Sequence, residues 1–321
     1  MGIITPALRR ANTGNWHTAA RWARMLAPRY RVRVLSQWRG EPLDLMIALH
    51  ARRSAESIAA FAAAHPRRPL IVVLTGTDLY HDLKVDSEAQ RSLELATSLV
   101  VLNELGADAL PPRARGKATV ILQSAPPLAP GRRAVRTFDV AVVGHLRDVK
   151  DPEAVMRAAA LLPPDSRIRI RHAGGALEPA LGKAARATER GHPRYRWLGE
   201  MPRAQARRLM RDSHILLHPS KLEGGAQVVI EAIQSGTPVI ASDCDGNVGL
   251  LGRNYPGLFP IGNAEALAKL LRRAETDSGY YRRLQQLCRR LSAKFSPGRE
   301  ERSLRSLVHN SLQLTKRRAQ K

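Results

Sequence analysis

Cysteine is nearly absent. Cys244 and Cys288 are the only two in 321 residues, too few and too far apart for a disulfide framework or a metal-ligand set. A reduced, cytoplasmic setting is the simplest expectation. Aromatic residues are scarce, at 4%, so Ala and aliphatic side chains must fill the interior. No aromatic–basic interleaving offers bases a surface to stack on. No apolar run approaches the roughly 18 residues of a membrane span, and the opening Met1-Gly2-Ile3-Ile4 reads as a short strand, not a leader. Acidic residues number 28 against 52 Lys and Arg, a formal net charge of +24. Arg makes up 43 of those 52 and is spread through helical stretches such as 203–211 and 282–290. That spread favours solvated helix faces over a nucleic-acid or stable membrane-binding surface, and leaves room for a local anion site.

What is present is alternation. Apolar runs near 3–4, 32–35, 45–49, 70–74, 99–102 and 119–122 are separated by helical stretches at 16–26, 55–64, 87–96 and 104–110. Apolar runs without polar alternation, parted by helices, predict a parallel sheet covered on both faces. Three prolines and a glycine within 124–133 interrupt the pattern and predict an interdomain linker. Alternation resumes at 138–143, 168–172, 194–198, 215–218, 239–241 and 258–261. From 264 to about 314 the chain reads as helix, with a break at 295–298. The expected fold class is α/β, with two Rossmann-like domains facing across a cleft. The first spans 1–130, the second 135–295, and 296–321 is a helix crossing back to the first. Ligands are expected beyond the strand C-termini.

Several segments fall there. Glu223-Gly224-Gly225-Ala226-Gln227 follows the run 214–218 and leads to Glu231 and then Gly236-Thr237-Pro238-Val239. Two carboxylates eight residues apart on a helix share a face, and the amides between them suit phosphate. A nucleotide sugar, hydroxyl-rich at both ends of a phosphate linkage, has the matching shape; the plain alternative is a solvated helix face. Gly144-His145-Leu146-Arg147-Asp148-Val149-Lys150 delivers basic residues after a strand, where a departing diphosphate would need them. Thr13-Gly14-Asn15 opens the first helix, as either an amide cluster for the donor or a simple cap. Thr75-Gly76-Thr77-Asp78 follows the most apolar run of the first half. Asp78 or His81 is placed there to orient or deprotonate an acceptor, or Asp78 merely caps a helix. His50, Arg52 and Arg53 end another strand as an anion-site candidate on the acceptor side.

The strand–Gly–turn–Lys150 unit, Glu223-x7-Glu231 and Gly236-Thr-Pro-Val, in this order over two Rossmann-like halves, resemble the GT-B glycosyltransferases of family 4. The resemblance implies that Glu223 meets the transferred sugar and Glu231 the nucleotide ribose, that Gly224, Gly225, Ala226 and Gln227 line the site, and that Lys150 holds the diphosphate. His145 stands where that family usually has Arg, with Arg147 as its substitute, and Ala226 replaces the usual second Gly of the turn. Segments 49–54, 74–80, 143–152, 246–252 and 255–259 further resemble the selenosugar synthases of selenoneine biosynthesis, whose pattern includes His145. That resemblance implies transfer from a UDP-sugar, such as UDP-N-acetylglucosamine, to selenophosphate. On this reading Glu223, Lys150, Arg147 and Asp78 form the catalytic set. Gly14, Asn15, His145, Gly224, Gly225, Ala226, Gln227 and Glu231 bind donor, and His50, Arg52, Thr75 and Asp78 bind acceptor. No metal or other cofactor is expected. A family 4 enzyme with an ordinary sugar, lipid or small alcohol acceptor stays open, and so does a basic nucleic-acid or membrane-surface binder.

Overall fold

The computed structural model describes residues 1–7 and 14–319, with side chains to 314. The chain divides into two units, residues 1–123 with 297–321, and residues 124–296.

The first unit runs β1 (Gly2–Ile4), α1 (Gly14–Leu26), β2 (Arg33–Leu35), β3 (Met46–Leu49), α2 (Ala55–Ala64) and β4 (Leu70–Leu74). A π-helical turn (Asp78–Asp82) then leads through α3 (Leu83–Val85), α4 (Ser87–Leu95), β5 (Ser98–Val101), α5 (Pro112–Arg115) and β6 (Ala118–Val120). All strands pair in parallel, in the order β2-β1-β3-β4-β5-β6. Side chains alternate across the sheet. Met46, Ala48, Leu70, Val72 and Leu74 enter one core cluster with Phe61 and Leu93. Ile47, Leu49, Ile71 and Val73 enter the other with Trp22 and Leu26. Burial on both faces is why these strands read as unbroken apolar runs.

The second unit runs β7 (Phe138–Val143), α6 (Pro152–Leu161), β8 (Ile168–Ala173), α7 (Pro179–Gly191), β9 (Tyr195–Gly199) and α8 (Arg203–Asp212). It continues through β10 (Ile215–His218), α9 (Gln227–Gln234), β11 (Val239–Ser242), α10 (Asp245–Leu251), β12 (Leu258–Phe259), α11 (Ala264–Thr276) and α12 (Ser278–Leu291). Its parallel sheet is ordered β12-β11-β10-β7-β8-β9. The order reverses between β7 and β10, so the loops leaving these two strands diverge and open a binding position between them. In the first unit the reversal falls between β1 and β3.

Two expectations change. Residues 104–110 form successive turns and no helix. Asn103 Oδ1 accepts from Leu105 N at 2.9 Å, and a Cβ on Gly106 would lie 2.7 Å from Val101 Cβ, so the chain is folded tightly over β5. The proline-rich segment lies within the second unit, held by Leu128 N to Gln234 O at 3.2 Å and by Arg133 to the carbonyls of Ser213 and Gly236.

The last helix, α13 (Pro297–Ala319), belongs to the first unit. Glu300, Leu304, Val308 and Ser311 are buried and form one stripe at helical spacing. Leu304 and Val308 join the cluster of Trp22 and Leu26. Glu300 accepts from Arg21 Nε at 2.9 Å and from Trp22 Nε1 at 2.7 Å. Breaking a buried ion pair typically costs about 3–5 kcal/mol. Glu300→Ala is therefore expected to destabilise the first unit by roughly that amount in urea unfolding. A loss under about 1 kcal/mol would show that α13 is held by its apolar stripe alone.

Candidate active site

In the second unit the side chains gather on the loops that leave β7 and β10. Glu223 lies in the β10–α9 loop. It does not share a helix with Glu231, as the eight-residue spacing suggested, because Gly224 and Gly225 delay the helix to Gln227. Glu231 sits on α9 itself and is buried, as is Glu223. Lys150 Nζ pairs with Glu223 Oε1, and His218 Nε2 lies 2.9 Å from the same oxygen. Ser220 Oγ is 3.2 Å from His218 Nε2. Burial pushes the Glu223 carboxyl pKa up, yet the nearby Lys150 and His218 overcome this and hold it well below the usual carboxylate range. Glu223 is therefore ionised, and His218 Nε2 carries the hydrogen it donates.

The two loops are laced together. Lys221 N donates to Val149 O at 3.0 Å, and Lys221 Nζ pairs with Asp148 at 2.5 Å. Asp151 follows Lys150 with a left-handed φ of 45° and caps α6 through Ala154 N at 3.3 Å. From the first turn of α10, Gly246 approaches so closely that a Cβ there would lie 1.9 Å from Glu223 O; only glycine fits. Arg147 is half-buried and has no described side-chain partner, so it is a cation available to a ligand. His145 accepts from Gly175 N at 3.1 Å through Nδ1 and so braces the neighbouring loop. Glu231 Oε1 pairs with Arg203 of α8, whose Nε is at 2.8 Å. Gln227 Nε2 donates to Ser124 O at 3.0 Å. Gly224, Gly225 and Ala226 are buried immediately before α9.

In the first unit His50 directly follows β3, at the strand reversal. It is buried and has a φ of 72°, a strained value for a non-glycine residue. Arg53 N donates to its Nδ1 at 3.3 Å. Nε2 therefore carries the hydrogen and faces Thr77 Oγ1 at 3.0 Å. Burial lowers the His50 pKa against the pull of Asp78, so the ring is neutral at pH 7. Asp78 is not a solvent-facing base. It is fully buried, with Thr75 N and Gly76 N both 2.8 Å from Oδ1 and Ala51 N 3.0 Å from Oδ2. It therefore clamps the β3 and β4 loops, the capping alternative on a larger scale. Thr75 is half-buried at the end of β4. Arg52 is half-exposed and paired with Asp86 at 2.9 Å and Asp82 at 3.7 Å, so much of its charge is met within the unit. Gly14 and Asn15 open α1, with Thr18 Oγ1 donating back to Gly14 O at 3.0 Å; Thr13 lies outside the described residues.

His218 and Arg203 had not been singled out. His218 reads as the last residue of an apolar strand, although its five-residue distance from Glu223 was a usable signal. Arg203 is one of 43 arginines, and nothing near it in the sequence marks it.

Two six-stranded parallel sheets of this kind define the GT-B fold. Anabaena HepE, solved with UDP and glucose, matches over 97% of this chain and 100% of its own, at a TM-score of 0.73 and 16% identity. Sucrose-phosphate synthase from Thermosynechococcus elongatus matches over 96% and 98%, at 0.75 and 16%. Residues 131–290, just under half of the chain, match the family model of Glycosyl transferases group 1. A D-inositol 3-phosphate glycosyltransferase of Corynebacterium glutamicum is 35% identical over 157 residues, 44% of this chain and 37% of the relative. One from Mycobacterium avium is 34% identical over 143 residues, 41% and 33%. The match thus spans about a third of the length of these curated relatives. Among the described residues no helix is long and apolar enough to cross a membrane.

Beneath the β7 loop, His172 is buried. Its Nε2 lies 3.3 Å from Gly144 O and its Nδ1 3.0 Å from the Tyr195 hydroxyl. Burial pushes its pKa down from 6.5 to about 4. A depressed pKa favours the neutral ring in the folded state, so its stabilising contribution is complete above pH 6.5 and lost as pH falls through about 4. The contribution is at most about 3 kcal/mol. Melting temperature should fall between pH 6.5 and 4, and His172→Gln should flatten that fall. An unchanged slope in the variant would assign the acid sensitivity to other groups.

Proposed function

We propose that the chain is a glycosyltransferase that takes a hexosyl group from a UDP-sugar and joins it to selenophosphate. The observation that carries the donor half is the ionised, buried Glu223, met by Lys150 and His218 at the strand reversal of the unit that matches the glycosyltransferase family. Structures of one neighbour, HepE, are described with UDP and glucose and with UDP-glucose, which supports a uridine nucleotide here. Glu231 is assigned to the ribose hydroxyls, Glu223 to the sugar hydroxyls, and the amides leading into α9 to the diphosphate.

In the reaction, the bond from the anomeric carbon to the β-phosphate oxygen breaks, and its electron pair leaves with UDP. Lys150 and Arg147 meet the charge that grows on that oxygen, a role that needs no metal ion. The selenium of selenophosphate forms the new bond to carbon. Water then splits the phosphorus–selenium bond, releasing phosphate and leaving the selenol on the sugar. Selenophosphate is already an anionic nucleophile, so the burial of Asp78 away from a general-base role is no obstacle. The acceptor half is supported by the resemblance of segments 49–54 and 74–80 to the selenosugar synthases. The relatives' own name, with its inositol phosphate, also points to an acceptor that carries phosphate. A hydroxyl acceptor is the second reading, favoured by the pairing of Arg52 with Asp86, which leaves less positive charge for an anion.

UDP-sugars incubated with selenophosphate in excess EDTA should give UDP and a selenium-containing sugar by mass spectrometry. UDP release that is independent of selenophosphate and requires an alcohol would establish the second reading. Activity that appears only with added magnesium or manganese would refute the metal-free chemistry.

Lys150→Ala should lower kcat by about a hundredfold, the usual loss when one group stabilising developing oxyanion charge is removed, with a smaller rise in donor KM. A raised KM with unchanged kcat would make Lys150 a ground-state anchor.

A further inference from the structure

The donor reading leaves an unmet requirement. Lys150 Nζ is bound to Glu223 Oε1, yet the same ammonium is assigned to the departing diphosphate. One ammonium cannot serve both at full strength. When Lys150 turns to the phosphate, Glu223 keeps its negative charge in a site where its side chain is only 10% exposed. A buried carboxylate without a donor is costly. The group that remains is His218, whose Nε2 is 2.9 Å from the same oxygen and whose side chain is 3% exposed. It sits on the last residue of β10, so its backbone is fixed by the sheet through pairing with Ala241. Ser220 Oγ at 3.2 Å from Nε2 adds a second polar neighbour on the same side.

We propose that His218 is a positioning residue: its Nε2–H holds Oε1 of Glu223 while Lys150 exchanges that oxygen for the diphosphate, so that Oε2 stays directed at the sugar hydroxyls. Lys150 and His218 thereby divide two tasks that overlap in the ligand-free protein. Lys150 is mobile between a carboxylate and a phosphate, on a side chain 32% exposed. His218 is fixed, and its duty begins when Lys150 leaves. The role acts through the sugar and not through the nucleotide, and this separates it from a general structural contribution. The proposal rests on the donor-site reading above.

His218→Leu and His218→Gln test it, since Gln places an amide donor near the position of Nε2 and Leu places none. Calorimetry with UDP alone and steady-state kinetics with the UDP-sugar are the two readouts. For His218→Leu the UDP dissociation constant should stay within about twofold of wild type, while kcat/KM for the UDP-sugar should fall by about ten- to a hundredfold, the range for losing a hydrogen bond to a charged group. His218→Gln should recover most of that loss. In a Glu223→Gln background, His218→Leu should cost little more, because the two residues act as one unit. Equal weakening of UDP and UDP-sugar, a Gln variant no better than Leu, or full additivity in the double variant would each overturn the proposal. A wild-type protein that binds no UDP and consumes no UDP-sugar would overturn the donor reading itself, and the His218 assignment with it.

Discussion

The second unit is organised around one negative charge. Glu223 is buried and ionised, and a carboxylate in that position is tolerated only if cations or donors reach it. Its partners come from two different strands, Lys150 from the loop after β7 and His218 from the end of β10. Those strands are neighbours in the sheet but far apart in the chain. The strand reversal is what lets both loops converge on one oxygen. The close approach of Gly246 and the Lys221–Asp148 pair fit the same arrangement: one admits the backbone of Glu223, the other ties the two loops that carry the opposing charges.

The strands were legible because a sheet covered on both faces leaves its strands no polar positions, and periods of unbroken apolar residues follow. The order of the strands was not, since crossovers leave no mark on local composition. Glu223 stands out in the sequence by its residue type and its glycine neighbours, but the helix it was expected to share with Glu231 begins only at Gln227. Gly224 and Gly225 hold the chain out of the helix, so loop and helix each deliver one carboxylate. Residues 104–110 have helical composition, but Asn103 and the contact of Gly106 with Val101 turn the chain instead. That is a tertiary effect no local propensity reports.

The loops after β3 and β4 show how a polar strand end can mislead. For Asp78 the sequence offers two roles, orienting or deprotonating an acceptor, or capping a helix. Three backbone amides claim its oxygens, and it serves to hold two loops in register. What faces outward beside it is Thr77, with the neutral His50 behind. Among the described residues the non-glycine residues with left-handed φ are His50 and Asp151. Each stands in a loop beyond a strand C-terminus where chemistry was expected. Strain of this kind persists only where surrounding contacts over-determine it, and at His50 those contacts are the Arg53 amide and Thr77.

The placement of α13 in the first unit has a consequence for synthesis. Leu304 and Val308 complete the core face lined by Trp22 and Leu26, and the whole of the second unit lies between them in the chain. The second unit is contiguous and can close as soon as it leaves the ribosome. The first unit begins earlier and finishes later: its sheet can form, but the apolar face shared by α1 and α13 stays only partly covered until α13 has been made. The nascent chain therefore carries a partly open hydrophobic surface while the second unit is being made, and its folding is vectorial in the second unit alone.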